Sequence, residues 1–282
     1  MAILKALFQR RLALLGLIVI LAFVIMALFA PWIAPYPFEE MHKDGLTDFG
    51  SPLPPSGKFW LGTDTLGRDL LSRLIFGAQA TLIVAIIANT IAVAIGALVG
   101  VTAGYLRGVT GSVLMRFTDL MTAFPALLLA ILLAAMFNPS LWIVVIVIAM
   151  VNWVQVARVT YTETISLSER EFITAERSLG AGALRILSRH LLPHLVPTIT
   201  VYATLGIATT SLTEATLSFL GIGVQPPTPS WGNMVNENQT YFEVAPWLVF
   251  FPSACIALLA LSFNLIGDAL RDILDPTLRG RH

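Results

Sequence analysis

ERSLGAGALRILSRHLLPHLVP, residues 176–197, interrupts a chain that is otherwise close to continuous oil. Between Arg158 and Leu195 stand five arginines (Arg158, Arg170, Arg177, Arg185, Arg189) and four glutamates (Glu163, Glu169, Glu171, Glu176). Each would cost about 2.5–3.5 kcal/mol at the centre of a bilayer, so together they exclude the segment from the membrane. At about forty residues it is too long for a bare connection unless it has structure of its own. Ser168 with Glu171 three residues on forms a capping box, after which Phe172, Ala175 and Leu179 recur at helical spacing. Gly180 and Gly182 end that helix, because glycine accepts a left-handed terminus cheaply. Leu184, Leu187 and Leu191 start a second amphipathic helix with Arg185 and Arg189 off its apolar face, and Pro193 and Pro197 close it. The expected unit is helix, glycine turn, helix. It suits a pair resting on anionic lipid, or a docking element whose small residues (Ala175, Ser178, Gly180, Ala181, Gly182) let a soluble partner approach the backbone.

The rest of the chain says what this unit hangs from. With 56% hydrophobic and 12% charged residues among 282, and a mean hydropathy of +0.81, the composition is that of an integral membrane protein. The formal net charge is zero, so the total points to no nucleic-acid partner. The single cysteine, Cys255, lies in an apolar run and reads as core filler. Uncharged stretches give the crossings, each needing about 20 apolar residues. Residues 12–30 form a first, retained helix and residues 74–106 contain the second. From Leu120 to Ala157 there is no charge, but Asn138, Pro139 and Ser140 divide the run into spans three and four. A fifth runs from near Val196 to between Thr213 and Phe219, and a sixth from Trp247 to about Leu265.

Orientation follows from the basic residues. Placing both termini in the cytoplasm puts Lys5, Arg10, Arg11, Arg107, Arg116, the five loop arginines, Arg271, Arg279 and Arg281 inside, leaving only Lys43, Lys58, Arg68 and Arg73 outside. The outside segment after the first span is expected to carry an amphipathic helix, or else a lead-in turn to span two, capped by Asp64 or Thr65, with Leu66, Leu70, Leu71, Leu74 and Ile75 on one face and an Asp69–Arg73 pair. Pro226, Pro227 and Pro229 before Trp231 suggest a rigid extended stretch with an interfacial tryptophan. Asp119 either faces the pathway or pairs with Arg116 one turn away, and Glu214 is expected in a solvated position at the end of span five. The span-five threonines, Thr204 among them, either line a cavity or bond back to their own helix. Asp268, Arg271, Asp272 and Asp275 read as a charged helix end below span six. His190 and His194 have the spacing of some metal pairs, but Pro193 lies between them and no third ligand is near in sequence, so no metal site is expected.

With these residues placed, the loop resembles the cytoplasmic motif of ABC importer permeases: Glu-Ala-Ala, a glycine four residues on, then Leu-Pro. Here it reads Thr174-Ala175-Glu176, Gly180 and Leu192-Pro193, with Thr174 in the place of the leading glutamate. LGTDTLGRDLLSRLIFGAQ (61–79), SFLGIGVQPPTPSWGNM (218–234), FNLIGDALRDILDP (263–276) and RRLALLGL followed by FAPWIAPY are similar to the dipeptide/oligopeptide (peptide/nickel) branch, second-permease type. The resemblance implies an all-α integral membrane fold of six transmembrane helices with a cytoplasmic helix-turn-helix coupling loop, the type I importer permease fold. It also implies a second homologous permease as partner, two cytoplasmic ATPase subunits and an extracytoplasmic substrate-binding protein. The ATPases would grip Thr174, Ala175, Glu176, Ser178, Leu179, Gly180, Ala181, Leu192 and Pro193. No cofactor is expected in this chain, with ATP and magnesium held by the ATPases. Consistent with that, its one Gly-Lys pair, Gly57-Lys58, is followed by Phe59 and has Pro52 where a P-loop's first glycine stands.

The organisation expected is residues 1–30 as amino terminus and first helix, 31–77 as an extracytoplasmic segment, and 78–282 as the permease core with its coupling loop at 158–195. The function implied is import of di- or oligopeptides across a prokaryotic cytoplasmic membrane, relatives of this branch also handling nickel complexes, glutathione or sugars. Two rivals are weaker. Gly267-Asp268 resembles the aspartyl intramembrane proteases, but Leu265 stands where their first glycine belongs. A secondary transporter would not need the structured docking loop, and internal repeats of spans are not found.

Overall fold

The computed structural model describes residues 6–274 and, among them, is helical with no strand. Lys5, Asp275, Arg279 and Arg281, assigned above to the cytoplasmic face, lie outside the described residues. The first span is Arg11–Leu28, the second Leu70–Leu106, the fourth Leu141–Ser168, the fifth Leu192–Phe219 and the sixth Trp247–Leu274. The third is broken: helices Gly108–Thr122 and Ala126–Ala135 meet at 85°. Five helices are thus long and apolar enough to cross a membrane, and the bent pair makes up to six. The break corrects the reading of one unbroken apolar helix, and its cause is Pro125, which has no N–H for the carbonyl four residues back and disfavours helix in the residue before it.

The second and fourth spans run parallel and in the closest contact of the bundle. Gly96, Gly100 and Gly104 recur every fourth residue, the small-residue spacing that lets membrane helices approach. A Cβ at Gly100 would sit 2.2 Å from the Ala157 carbonyl oxygen and 2.1 Å from Thr160 Oγ1, and one at Gly96 2.4 Å from the Trp153 carbonyl. Thr160 and Thr164, buried in this seam, donate to the Val156 and Thr160 carbonyls of their own helix.

The charged loop lies on the same side of the bundle as the ends of the second, fourth and sixth spans and the start of the first. Arg10 of the first span pairs with Asp272 of the sixth, and Arg107, turning the corner after the second span with φ +50°, donates to the Ile165 carbonyl and to Glu169. We call this the hairpin end. The far end carries residues 31–69 and the segment between spans five and six, including helix Trp231–Asn238. The caps there are Asp69, accepting from Ser72 N at 2.8 Å, and Ser230, accepting from Asn233 N at 3.2 Å; Ser140, accepting from Ile143 N, opens span four.

Several expectations for the far end are corrected. The amphipathic run after residue 64 is no separate helix but the beginning of the second span. Its cap is Asp69 rather than Asp64 or Thr65, and because the Asp69 carboxylate is taken up by Ser72, Arg73 pairs elsewhere. Trp231 is not interfacial: fully buried, it donates from Nε1 to the Leu74 carbonyl at 3.0 Å and packs against Phe23, ring centroids 5.0 Å apart.

Candidate functional sites: the hairpin, a membrane cavity and a buried charge cluster

The hairpin starts later than its charges suggested. Span four continues through Arg158 to Ser168 as a stem of the membrane helix, so Ser168 lies buried at the end of that helix and forms no capping box. The next helix, Glu171–Ser178, takes Arg170 as N-cap with no side-chain bond. Its buried contact is Ile173, joined by Ile186, Leu191 and Leu195 on Val101 and Leu167 of spans two and four. Leu179 and Leu184, expected on the packed face, are instead 83% and 79% exposed. They flank the turn, where Gly180 (φ +82°) donates to the Arg177 carbonyl and Ala181 N to the Glu176 carbonyl, each at 3.0 Å. That is the Schellman pattern, with glycine at its left-handed position as expected. Nothing lies within 4 Å of where a Gly180 Cβ would stand.

The second arm is not an independent helix closed by proline. Ala183–Ile186 runs into a π turn at Leu187–Leu191 and straight on into the fifth span; Pro193 lies within this continuous run, and its missing N–H accompanies the widened turn just before it. Arg177 stacks over the Tyr105 ring at 5.1 Å and His190 lies 3.5 Å from Glu176. Thr174, Ala175, Ser178, Leu192 and Pro193 are exposed, and Glu176 and Ala181 half-buried. One face is therefore bolted to spans two, four and five, and the other presents Leu179, Gly180 and Leu184 to whatever lies beyond.

Two cavities lie along the fifth span. One, about 480 Å³, is walled by Asn89 of span two, Phe124 and Pro125 at the break in span three, Asn152 and Gln155 of span four, and Tyr202 and Thr209 of span five. The other, about 670 Å³, lies against the hairpin and includes Glu163, Arg170, His194, Thr198, Tyr202 and Arg271. Tyr202 and Leu205 belong to both walls.

The titratable residues singled out in the sequence stand elsewhere. Asp119 pairs with Arg158 of span four at 2.8 Å rather than with Arg116, both groups exposed, because the break swings its helix towards span four. Thr204 donates to the Thr200 carbonyl, and Thr200, Thr209, Thr213 and Thr216 also bond back to their helix. Glu214 is not solvated: fully buried, it accepts from Ser218 Oγ at 2.7 Å, its other oxygen unpartnered, since the far-end segment folds over it.

At the far end, Asp64 accepts from Arg68 Nε and Arg73 Nη1, each at 2.6 Å, and Arg73 Nη1 reaches Glu237 of helix Trp231–Asn238 at 2.9 Å. Asp64 and Arg73 are 1% exposed. This cluster ties residues 61–69, the start of span two and the segment before span six into one block; nothing in local spacing announced the partner 164 residues away.

The fold is that of an ABC transporter permease. A solved chain of the MetNI methionine ABC transporter, from inward-facing conformations, matches with a TM-score of 0.60 at 16% identity, covering 73% of this chain and 98% of that one. Residues 96–280 match the family model described as the binding-protein-dependent transport system inner membrane component, and residues 2–55 the N-terminal TM domain of oligopeptide transport permease C. The chain belongs to the binding-protein-dependent transport system inner membrane component family and is a multi-pass membrane permease. It is 43% identical over 95% of its length, and 88% of the relative's, to the di/tripeptide transport system permease protein DppC of Pseudomonas aeruginosa (strain UCBPP-PA14). It is 40% identical to the dipeptide transport system permease protein DppC of Alkalihalophilus pseudofirmus, covering 98% of this chain and 89% of the relative. It is 42% identical to the glutathione transport system permease protein GsiD of Shigella flexneri serotype 5b, covering 96% and 88%.

Proposed function

We propose that the chain is one of two unlike permeases in a peptide importer, and that its hairpin is seated in a cytoplasmic ATPase subunit. The observation that carries this reading is the two-sided hairpin: its inner face is packed on spans two, four and five, while Leu179, Gly180 and Leu184 are exposed round a turn with empty space above it. A lever needs this division, one face fixed to the moving helices and one free for the element that pushes it. The residues proposed to meet the ATPase are Thr174, Ala175, Glu176, Ser178, Leu179, Gly180, Ala181, Leu192 and Pro193, with both termini on the same cytoplasmic side. The peptide is proposed to arrive from an extracytoplasmic binding protein. The two dipeptide relatives favour a di- or tripeptide, and the glutathione relative fits the same class, glutathione being itself a small peptide.

In the assembled importer, Gly180→Arg is expected to leave membrane insertion intact and to uncouple ATP hydrolysis from uptake in proteoliposomes. Undiminished coupling removes the hairpin from the ATPase contact. Cysteines at Ser188 and Lys43, both exposed, are expected to react from the cytoplasmic and the outer side of the membrane respectively; same-side labelling overturns the topology, and exchanged sides overturn the orientation.

A further inference from the structure

The cavity at the break in span three is polar but uncharged. Its wall combines Asn89, Thr122, Asn152, Gln155, Tyr202 and Thr209 with apolar surface, and contains no carboxylate, lysine, arginine or histidine. Its neighbour against the hairpin is charged.

Irregular backbone at membrane depth persists only inside protein or beside water, because an unbonded carbonyl or N–H in hydrocarbon costs several kcal/mol. Pro125 cannot donate to the Met121 carbonyl, and both Met121 and Pro125 line this cavity. The break is thus placed where water can satisfy it.

The polar side chains fall into two groups. Asn89 is spent as a strut, donating to the Ala203 carbonyl at 2.6 Å, and Asn152 donates to Thr210 Oγ1 at 3.2 Å. Gln155 and Tyr202 make no side-chain hydrogen bond among the described residues, and neither is sealed from solvent. An amide and a phenol, each able to donate and to accept, therefore face the same space from spans four and five. We propose that this cavity is a section of the solute path and that Gln155 and Tyr202 form a transient binding station for the main-chain amides of the passing peptide. The proposal rests on the peptide-importer reading.

Neutral hydrogen bonds suit such a station. A solute in transit must be held strongly enough to enter and weakly enough to leave, a balance that a desolvated ion pair would upset. The volume, about 480 Å³, lies within the roughly 300–1,000 Å³ of small-molecule sites. Tyr202 and Leu205, shared with the 670 Å³ cleft, mark the way on towards the hairpin end.

Two measurements on the complete importer in proteoliposomes test this. In a Cys255→Ser background, Gln155→Cys is expected to react with a charged, membrane-impermeant thiosulfonate; a thiol that stays unreacted throughout turnover means a dry cavity and overturns the proposal whatever the cargo. Gln155→Leu combined with Tyr202→Phe is expected to lower peptide imported per ATP hydrolysed about tenfold at low peptide concentration, the equivalent of two neutral hydrogen bonds. Gln155→Asn with native Tyr202 is expected to recover most of that ratio. A ratio unmoved in the double variant overturns the station, including the case where uptake and hydrolysis fall together. If the unaltered importer carries no peptide at all, the peptide reading fails separately, and the thiol result still decides whether the cavity is wet.

Discussion

At the far end, Asp64, Arg68 and Arg73 are buried and bonded to one another and to Glu237; at the hairpin end, Arg10–Asp272, Arg107–Glu169 and Arg158–Asp119 are pairs of exposed side chains. Charges of both signs are present at both ends, so the contrast lies in desolvation. A buried pair cannot exchange its partner for water and fixes the geometry round it, whereas an exposed pair is worth at most about 1 kcal/mol and can be remade. One end of the bundle is thus set as a block, and the hairpin end can rearrange.

The sharpest way to break this contrast is Arg73→Met. It leaves the Glu237 and Asp64 carboxylates with Arg68 alone, and the loss is expected near the lower end of the range for broken buried pairs, about 3 kcal/mol. Thermal unfolding of the purified protein in detergent measures it, and a shift no larger than that of an exposed arginine would dissolve the distinction. At the hairpin end, Gly180→Ala places a side chain at φ +82° with nothing to clash against, so the cost is the intrinsic one of the left-handed conformation, about 1 kcal/mol. It should appear as faster local hydrogen exchange at residues 177–182, with the global unfolding midpoint almost unmoved.

The smallest effect belongs to Lys58 and Asp44, an exposed pair at the far end. The hydrogen bond from Lys58 holds the Asp44 carboxyl below its ordinary value, and the same bond raises the Lys58 ammonium. Asp44 therefore contributes stability that is present above its unfolded pKa and fades as pH falls through the lowered value; Lys58 contributes stability present below its unfolded pKa and lost as pH rises through the raised one. Comparing Lys58→Ala with the native protein across acid and alkaline limbs should give curves that converge at both extremes and differ barely in between.

Much of the fold was legible because hydropathy and charge are local quantities. The apolar runs located the spans, and a glycine after an amphipathic segment announced the Gly180 turn. What escaped depends on partners distant in the chain. The charge-free run from Leu120 conceals its break because hydropathy does not change across Pro125, whereas Asn138-Pro139-Ser140 is polar as well as turn-forming. The burial of Glu214 and Trp231 follows from the segment after span five folding back over them, which spacing cannot express. In the hairpin the helical period is legible in the sequence but its phase only in part: Leu187 and Leu191 pack as expected and Phe172 stacks on His194, whereas Ile173 and Ile186 take the buried places nearer the turn and Leu179 and Leu184 stand exposed. Gln155 and Tyr202 carry no charge and sit in no motif, and only the cavity brings them together.

Gly96, Gly100 and Gly104 have a mechanical corollary. With backbones almost touching over two turns, the second and fourth helices cannot slide or roll against each other without collision, so they behave as a single stiff mast. Relative motion within this subunit is then left to helices outside that seam, among them the bent third and the fifth, both of which wall the amide-lined hollow.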